Sequence, residues 1–307
     1  MAAAAPLPRL IAIAGPTASG KSALAMRLAA ARGGEIVSCD SLQVYRGLDI
    51  GSAKPSRAER AAVPHHLLDV VDPDQTFSAA GYARLARAAV ADIHVRGRTP
   101  IVAGGSGLYL RALVWGLFEG PARDEPLRRR LEALADRRGD ARLHGILRRV
   151  DPEAAARIEP RDRVRVVRAL EVYRATGRPI GELQRGGGGG LAGFEVKVIV
   201  LDPGREALRS AVEARADAML AAGLVEETRA LLARYPGARP LDAIGYRQAA
   251  SVVRGSSDVA KARRDIVVET MRYAKRQLTW FRHQQDAEWC ADPASAEDLA
   301  SRWLDGA

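Results

Sequence analysis

The chain has 307 residues, 47% hydrophobic and 27% charged, the make-up of a globular protein able to bury one large core or two moderate ones. Its two cysteines, Cys39 and Cys290, lie far apart without metal-ligand spacing, no apolar stretch would cross a bilayer, and the opening Met-Ala-Ala-Ala-Ala-Pro lacks the basic start and apolar core of a secretion signal; a zinc site, a disulfide framework and a membrane anchor are not expected, and the cytoplasm is. The formal net charge of +10 favours a polyanionic partner over an acidic protein surface, with arginine-rich codon usage as the plain alternative.

Residues 10–14 read as a buried β-strand. They lead into Gly15-Pro16-Thr17-Ala18-Ser19-Gly20-Lys21-Ser22, a full G-x-x-x-x-G-K-[ST] phosphate loop, and then into an alanine- and leucine-rich helix over 22–31. In that setting the loop N–H groups and the helix N-terminus favour phosphate oxygens, Lys21 reaches the distal phosphates, and the Ser22 hydroxyl is placed to touch Mg2+. A second strand over 35–38 ends in Cys39-Asp40-Ser41-Leu42-Gln43. A helix over 78–96 carries Tyr82, Leu85, Ala89 and Ile93 on one face, and a third strand over 99–103 ends in Gly104-Gly105-Ser106-Gly107. Short apolar strands alternating with helices predict an α/β fold with a doubly wound parallel sheet, the P-loop at its heart and all three turns converging at the carboxyl ends of the strands.

Near residue 120 the character changes. Helices are predicted over 127–137, 141–150 and 162–176, with Asp151-Pro152 and Glu159-Pro160 as breaks. Between Pro121 and Gly190 there are 17 arginines and no lysines against 11 acids. Five consecutive glycines at 186–190 read as a connection rather than an element. A strand over 194–201 returns the chain to the sheet, followed by helices over 205–222, 224–234, 246–254 and 259–283, the last with an apolar stripe of Val267, Met271, Ala274, Leu278 and Phe281. The expected organisation is a P-loop core over 1–120, a helical, arginine-rich insertion domain over 121–192 and the rest of the core over 193–307; one continuous α/β domain is the alternative.

A phosphate loop alone suggests a kinase or an ATPase, but the third strand carries no acid for the magnesium ion. The acid at a strand end is Asp40, which fits a metal ligand, a general base or simply a turn former. The glycine turn at 104–107 fits either close approach of a substrate or a plain loop. Arg161, Arg165 and Arg168 share one helix face, and Arg272, Lys275, Arg276 and Thr279 another; both suit a phosphate backbone or a solvated charged surface. His65, His66 and His283 have no ligand spacing and read as structural or surface residues, and Trp280 and Phe281 as packing.

Taken together, the motifs resemble the bacterial tRNA dimethylallyltransferases of the IPP transferase family over nearly the whole length. The resemblance is carried by the phosphate loop, by Asp40-Ser41-Leu42-Gln43-Val44-Tyr45, Asp49-Ile50-Gly51-Ser52-Ala53-Lys54-Pro55 and Pro64-His65-His66-Leu67-Leu68-Asp69, and by Gly104-Gly105-Ser106-Gly107-Leu108-Tyr109. Further on it is carried by Arg168-Ala169-Leu170-Glu171-Val172, Ile244-Gly245-Tyr246-Arg247-Gln248 and Tyr273-Ala274-Lys275-Arg276-Gln277-Leu278-Thr279-Trp280. It implies transfer of a dimethylallyl group from dimethylallyl diphosphate to N6 of adenosine 37 in the anticodon stem-loop of tRNA, with release of pyrophosphate. Gly15, Pro16, Thr17, Ala18, Ser19, Gly20, Lys21 and Ser22 would hold the diphosphate, with Mg2+ on Ser22. Asp40, as general base, Thr17 and Arg215 would be catalytic. The same resemblance implies tRNA contacts at Asp40, Ser41, Leu42, Gln43, Ser106, Arg123, Arg161, Asp162, Arg163, Val164, Arg165, Gly245, Tyr246, Arg247, Gln248, Arg272, Lys275 and Arg276, with the insertion clamping the RNA from one side of a monomer.

The sequence departs from the family pattern in the five-glycine run, in Ser106 where many members carry threonine, and in lacking the Cys/His finger that follows the last helix of eukaryotic relatives. Three other readings are an adenylate isopentenyltransferase, which has no need of a basic insertion, a small-molecule P-loop kinase, which needs a second acid for magnesium, and a non-enzymatic RNA-binding protein, which has no use for Lys21 among so many loop amides.

Overall fold

Among the described residues six strands form the sheet: β1 (Arg9–Ala14), β2 (Glu35–Ser38), β3 (His65–His66), β4 (Pro100–Gly104), β5 (Glu195–Leu201) and β6 (Ala287–Cys290). They lie in the order β3-β2-β4-β1-β5-β6, and every pairing is parallel. This computed structural model describes residues 7–118, 120–121, 123–185, 188–283 and 287–306. The opening Met1 to Pro6, read above for a leader, and Gly186 and Gly187 of the glycine run lie outside the described residues.

β1 shows why the sheet is wound on both faces. Its alternate residues Leu10, Ala12 and Ala14 pack into one core, and Ile11 and Ile13 into another. The helices of this part are α1 (Lys21–Arg32), α2 (Arg57–Ala62), α3 (Ala79–Val95) and α4 (Gly107–Val114). α3 and α4 cover the first face through Tyr82, Val90, Leu110 and Leu113, and α1 covers the second through Leu24 and Leu28. Register places Ala14 beside Gly104 and Ser38 beside Ala103, so the turns after β1, β2 and β4 emerge at one edge, as expected for a doubly wound sheet.

The chain divides into two compact units, one of Met1–Val114 with Leu191–Ala307, the other Trp115–Gly190. The second unit holds α5 (Glu125–Arg138), α6 (Asp140–Val150), α7 (Pro152–Arg157), α8 (Arg163–Thr176) and α9 (Ile180–Arg185) around its own core, which includes Leu143, Leu147, Val166, Val167 and Leu170. Asp151-Pro152, read as a break, does end α6, but the aspartate then caps α7: Oδ1 accepts from Ala154 N at 2.9 Å. Gly188 lies so close to Leu117 that a Cβ would sit 1.6 Å from its carbonyl oxygen, and this backbone contact calls for glycine there.

Back in the first unit, α10 (Arg205–Ala221), α11 (Leu224–Arg234), α12 (Tyr246–Val253) and α13 (Val259–Arg282) form a helical layer with a core of Leu208, Val212, Leu224, Tyr246, Ile266 and Ala274. The buried face of α13 is Ala262, Ile266, Val267, Thr270, Ala274, Gln277 and Phe281, while Met271 and Leu278 of the predicted stripe stand half-buried at its margin. α14 (Pro293–Asp305) returns to the sheet and buries Ala296 and Ala300 in the α1 core.

Candidate active site

The turn after β1 is a strained phosphate loop. Gly15, Ala18 and Gly20 all have positive φ, at 146°, 64° and 87°. That curl brings Lys21 Nζ to 3.0 Å from the Pro16 carbonyl, which accepts its hydrogen bond. The Ser19 hydroxyl is buried inside the loop with no hydrogen-bond partner among the described residues. Removal from water pushes the Lys21 ammonium down to about 8; the Arg215 guanidinium adds to the effect and the Asp40 carboxylate opposes it. Arg215, on α10, is lowered too, again mainly by desolvation and against Asp40. Two cations that repel each other in a desolvated pocket form a ready anion site, because a bound anion relieves the repulsion.

Asp40 follows β2 and does two things at once. Its Oδ1 accepts from the Leu42 and Gln43 amides at 2.8 and 3.4 Å, which makes it the turn former allowed for by sequence. Its Oδ2 accepts no hydrogen bond among the described residues, and the side chain faces the same cavity as Lys21 and Arg215. The neighbouring turn holds it there. Ser106 Oγ accepts from the Ser41 amide at 3.0 Å, and the Ser106 amide donates to the Cys39 carbonyl at 3.2 Å.

The glycines of that turn serve internal contacts. A Cβ on Gly104 would lie 2.0 Å from the Cys39 carbonyl oxygen, on Gly105 2.3 Å from Gln277 Nε2, and on Gly107 2.4 Å from the Trp280 ring. The protein itself approaches closely at this turn, and Gly104 and Gly105 also line the cavity.

The cavity has a volume of about 530 Å³. Of the residues expected at the site, Thr17, Lys21, Ser22, Asp40, Ser41, Leu42, Gln43, Arg215, Arg247, Arg272 and Arg276 line it. Val212, Ala216, Met219 and Ile266 add an apolar part to this polar and charged lining. Gln43 is held inside the protein: its Oε1 accepts from Ser38 Oγ at 2.8 Å and its Nε2 donates to the Ser52 and Ala53 carbonyls at 3.4 and 3.2 Å.

Tyr246 and Gln248, expected at the RNA, are instead buried structural residues. The Tyr246 hydroxyl donates to Glu227 at 2.7 Å and accepts from Gly51 N at 3.1 Å, and Gln248 Oε1 accepts from Gly245 N at 2.9 Å. Glu227 also accepts from the amides of Asp49, Ile50 and Gly51, so it fixes the loop that lines the cavity. Arg247 is ion-paired with Glu269 across the cavity wall. Lys275 is exposed on α13 outside the cavity.

The second unit sorts its predicted residues as well. Arg161, Val164 and Arg165 are exposed, and Arg165 pairs with Asp162, which caps α8. Arg163 pairs with Asp136 and Asp140, and Arg123 with Glu125. Arg168 of the expected basic face is committed internally: together with Arg128 it holds the buried Glu171. Two further residues shape the site: nothing marks Glu227 in sequence, and Gln277 lies in the motif over 273–280, which does not show what its side chain meets.

A parallel sheet with a phosphate loop at the end of an inner strand, and a cavity lined by two cations and a carboxylate, define a P-loop α/β protein. Residues 43–284 match the family model for IPP transferase. The chain is 53% identical over 96% of its length to a tRNA dimethylallyltransferase of Anaeromyxobacter dehalogenans, covering 98% of that relative. Among solved structures it is similar to the full-length tRNA isopentenylpyrophosphate transferase of Bacillus halodurans, 35% identical with a TM-score of 0.68 and 97% of each chain covered. It is also similar to a eukaryotic dimethylallyltransferase acting on tRNA, 25% identical with a TM-score of 0.78, covering 97% of this chain and 80% of that one. The chain belongs to the IPP transferase family.

Proposed function

We propose that this chain transfers the dimethylallyl group of dimethylallyl diphosphate to N6 of adenosine 37 in tRNA and releases pyrophosphate. The observation that carries the reading is that Lys21, Arg215 and Asp40 line one cavity, with Asp40 Oδ2 accepting no hydrogen bond among the described residues. The bond from the allylic carbon to the diphosphate oxygen breaks and its electron pair leaves with pyrophosphate. Lys21, Arg215 and the loop amides stabilise that growing charge. The N6 lone pair forms the new carbon–nitrogen bond, and the N6 proton passes to Asp40 Oδ2. The Thr17 side chain faces the diphosphate from the loop, and the apolar part of the lining at Val212, Met219 and Ile266 receives the prenyl chain.

The adenine must leave its stack to reach Asp40. Ser41, Leu42 and Gln43 line the path it would take, with Arg272 and Arg276 beside it for flanking phosphates. The exposed Arg161 and Arg165 offer further phosphate contacts on the second unit. The donor set also suits magnesium: the exposed Ser22 hydroxyl is an oxygen donor on the cavity, and alone it is too little for an all-protein cage. Ser22 would hold Mg2+, and the chemistry the ion would supply there is neutralisation of charge on the leaving group.

Incubation of the protein with unmodified tRNA and dimethylallyl diphosphate, followed by mass analysis of the nucleosides, tests the proposal. Prenylated adenosine at position 37 is the expected result. Prenylated AMP in place of tRNA, or phosphate transfer from ATP, would assign the site to another reaction.

A further inference from the structure

We propose that Gln277 is a positioning residue for this transfer: its side-chain amide ties the phosphate loop to the turn that holds Asp40, and so sets the separation between the leaving group and the base. The inference rests on the transfer reading above and goes beyond it.

Gln277 projects from α13 and is 7% exposed. Its Oε1 accepts from the Thr17 amide at 3.0 Å, and its Nε2 donates to the Gly105 carbonyl at 2.8 Å. The polarity of the two partners fixes the amide's orientation, since the flipped form would set N–H against N–H and oxygen against oxygen. Both bonds also require Gly105 to be glycine, because a Cβ there would meet Gln277 Nε2 at 2.3 Å.

Hydrogen bonds continue outward from each end. Next to Thr17, the Pro16 carbonyl holds Lys21 Nζ. Next to Gly105, Ser106 holds the backbone on both sides of Asp40, through the Cys39 carbonyl and the Ser41 amide. The cation that meets the leaving diphosphate and the carboxylate that takes the proton are thus joined through one side chain. Strand register places the ends of β1, β2 and β4, but the crest of the phosphate loop lies beyond the ladder. There the amide of Thr17 is anchored by Gln277 from another element. Nucleophile, allylic carbon and leaving oxygen must lie nearly in line, and a misplacement of about 1 Å costs on the order of 100-fold in rate.

Two variants test this, each read by single-turnover transfer rate, Kd for pyrophosphate, Kd for tRNA and melting temperature. Gln277→Leu keeps the approximate volume and removes both bonds. Its expected transfer rate is about 100-fold lower, with both Kd values within about threefold of wild type and melting within about 5 °C. Gln277→Glu introduces a carboxyl that, when protonated, accepts from Thr17 and donates to Gly105 as the amide does. Its rate relative to wild type should recover at low pH and fall as that carboxyl ionises.

A wild-type rate in Gln277→Leu overturns the proposal, as does an equal loss of rate, both affinities and cooperative melting. If Gln277→Leu does not fold, Gln277→Glu decides: a pH profile parallel to wild type rules out the positioning role. Absence of prenylated adenosine with the wild-type protein would instead remove the transfer reading itself.

Discussion

In the proposed reaction Asp40 uses one oxygen for structure and the other for chemistry, and a substitution can separate them. Asparagine keeps an Oδ1 to accept from the Leu42 and Gln43 amides, so Asp40→Asn preserves the turn. It cannot take a proton from N6. Turnover should fall on the order of 100- to 10,000-fold while tRNA affinity stays within about threefold, as read by steady-state kinetics and filter binding. Unchanged turnover would remove the base assignment. Lys21 makes a second residue-scale prediction. Burial and Arg215 hold it at about 8 in the free protein, and a diphosphate favours its charged form. Charge is therefore in place below about pH 8 and is lost above it. Pyrophosphate affinity, measured by calorimetry, should weaken by up to about tenfold per pH unit above 8. Lys21→Arg should flatten that dependence; a flat wild-type profile would contradict the assignment.

Elements were legible in sequence where their pattern was strong and local. The phosphate loop was readable because strand, glycines and helix follow one another without interruption, and α11 and β2 fall on the residues predicted for them. β3 and β6 gave no such signal: one has two residues, the other four, and both are sheet edges that are only partly covered. α14 was legible too, though not predicted: Asp292-Pro293 marks its start, and Ala296, Leu299, Ala300, Trp303 and Leu304 recur at helical spacing on the face that packs into the α1 core. The glycine turn after β4 could be seen but not understood, since the groups its glycines admit, Cys39, Gln277 and Trp280, come from distant parts of the chain. Gly104→Ala should therefore cost about 1–3 kcal/mol, because the Cβ would press on backbone that cannot rotate aside. Denaturant unfolding with unchanged m-value would read it; wild-type stability would mean that the turn relaxes freely. In the second unit, Glu171→Ala should cost about 2–4 kcal/mol, since it leaves the nearly buried Arg128 without its carboxylate while Arg168 keeps some solvent.

For the molecule as a whole, the excess of basic residues is divided between two uses. Arg128, Arg163 and Arg168 are committed to ion pairs that hold the second unit together. Arg161 remains exposed without an ion pair among the described residues, and Arg165 is exposed with one local partner. A count of charges could not make this distinction, which depends on which arginine meets which acid after folding. Reversing Arg161 and Arg165 to glutamate should weaken tRNA binding and make the plot of log K against log salt shallower. A wild-type slope would exclude these side chains from the RNA contact.

In the proposed reaction one cavity couples departure of pyrophosphate to capture of the allyl group by an RNA purine. Single-turnover reaction of labelled dimethylallyl diphosphate with tRNA, scoring both products from the same sample, tests it most directly. The expected result is one pyrophosphate released per prenylated adenosine, at the same rate, with both products lost together in Lys21→Ala and in Arg215→Ala. Pyrophosphate release at full rate without prenylated RNA, or prenylated RNA formed at full rate by both variants, would contradict it.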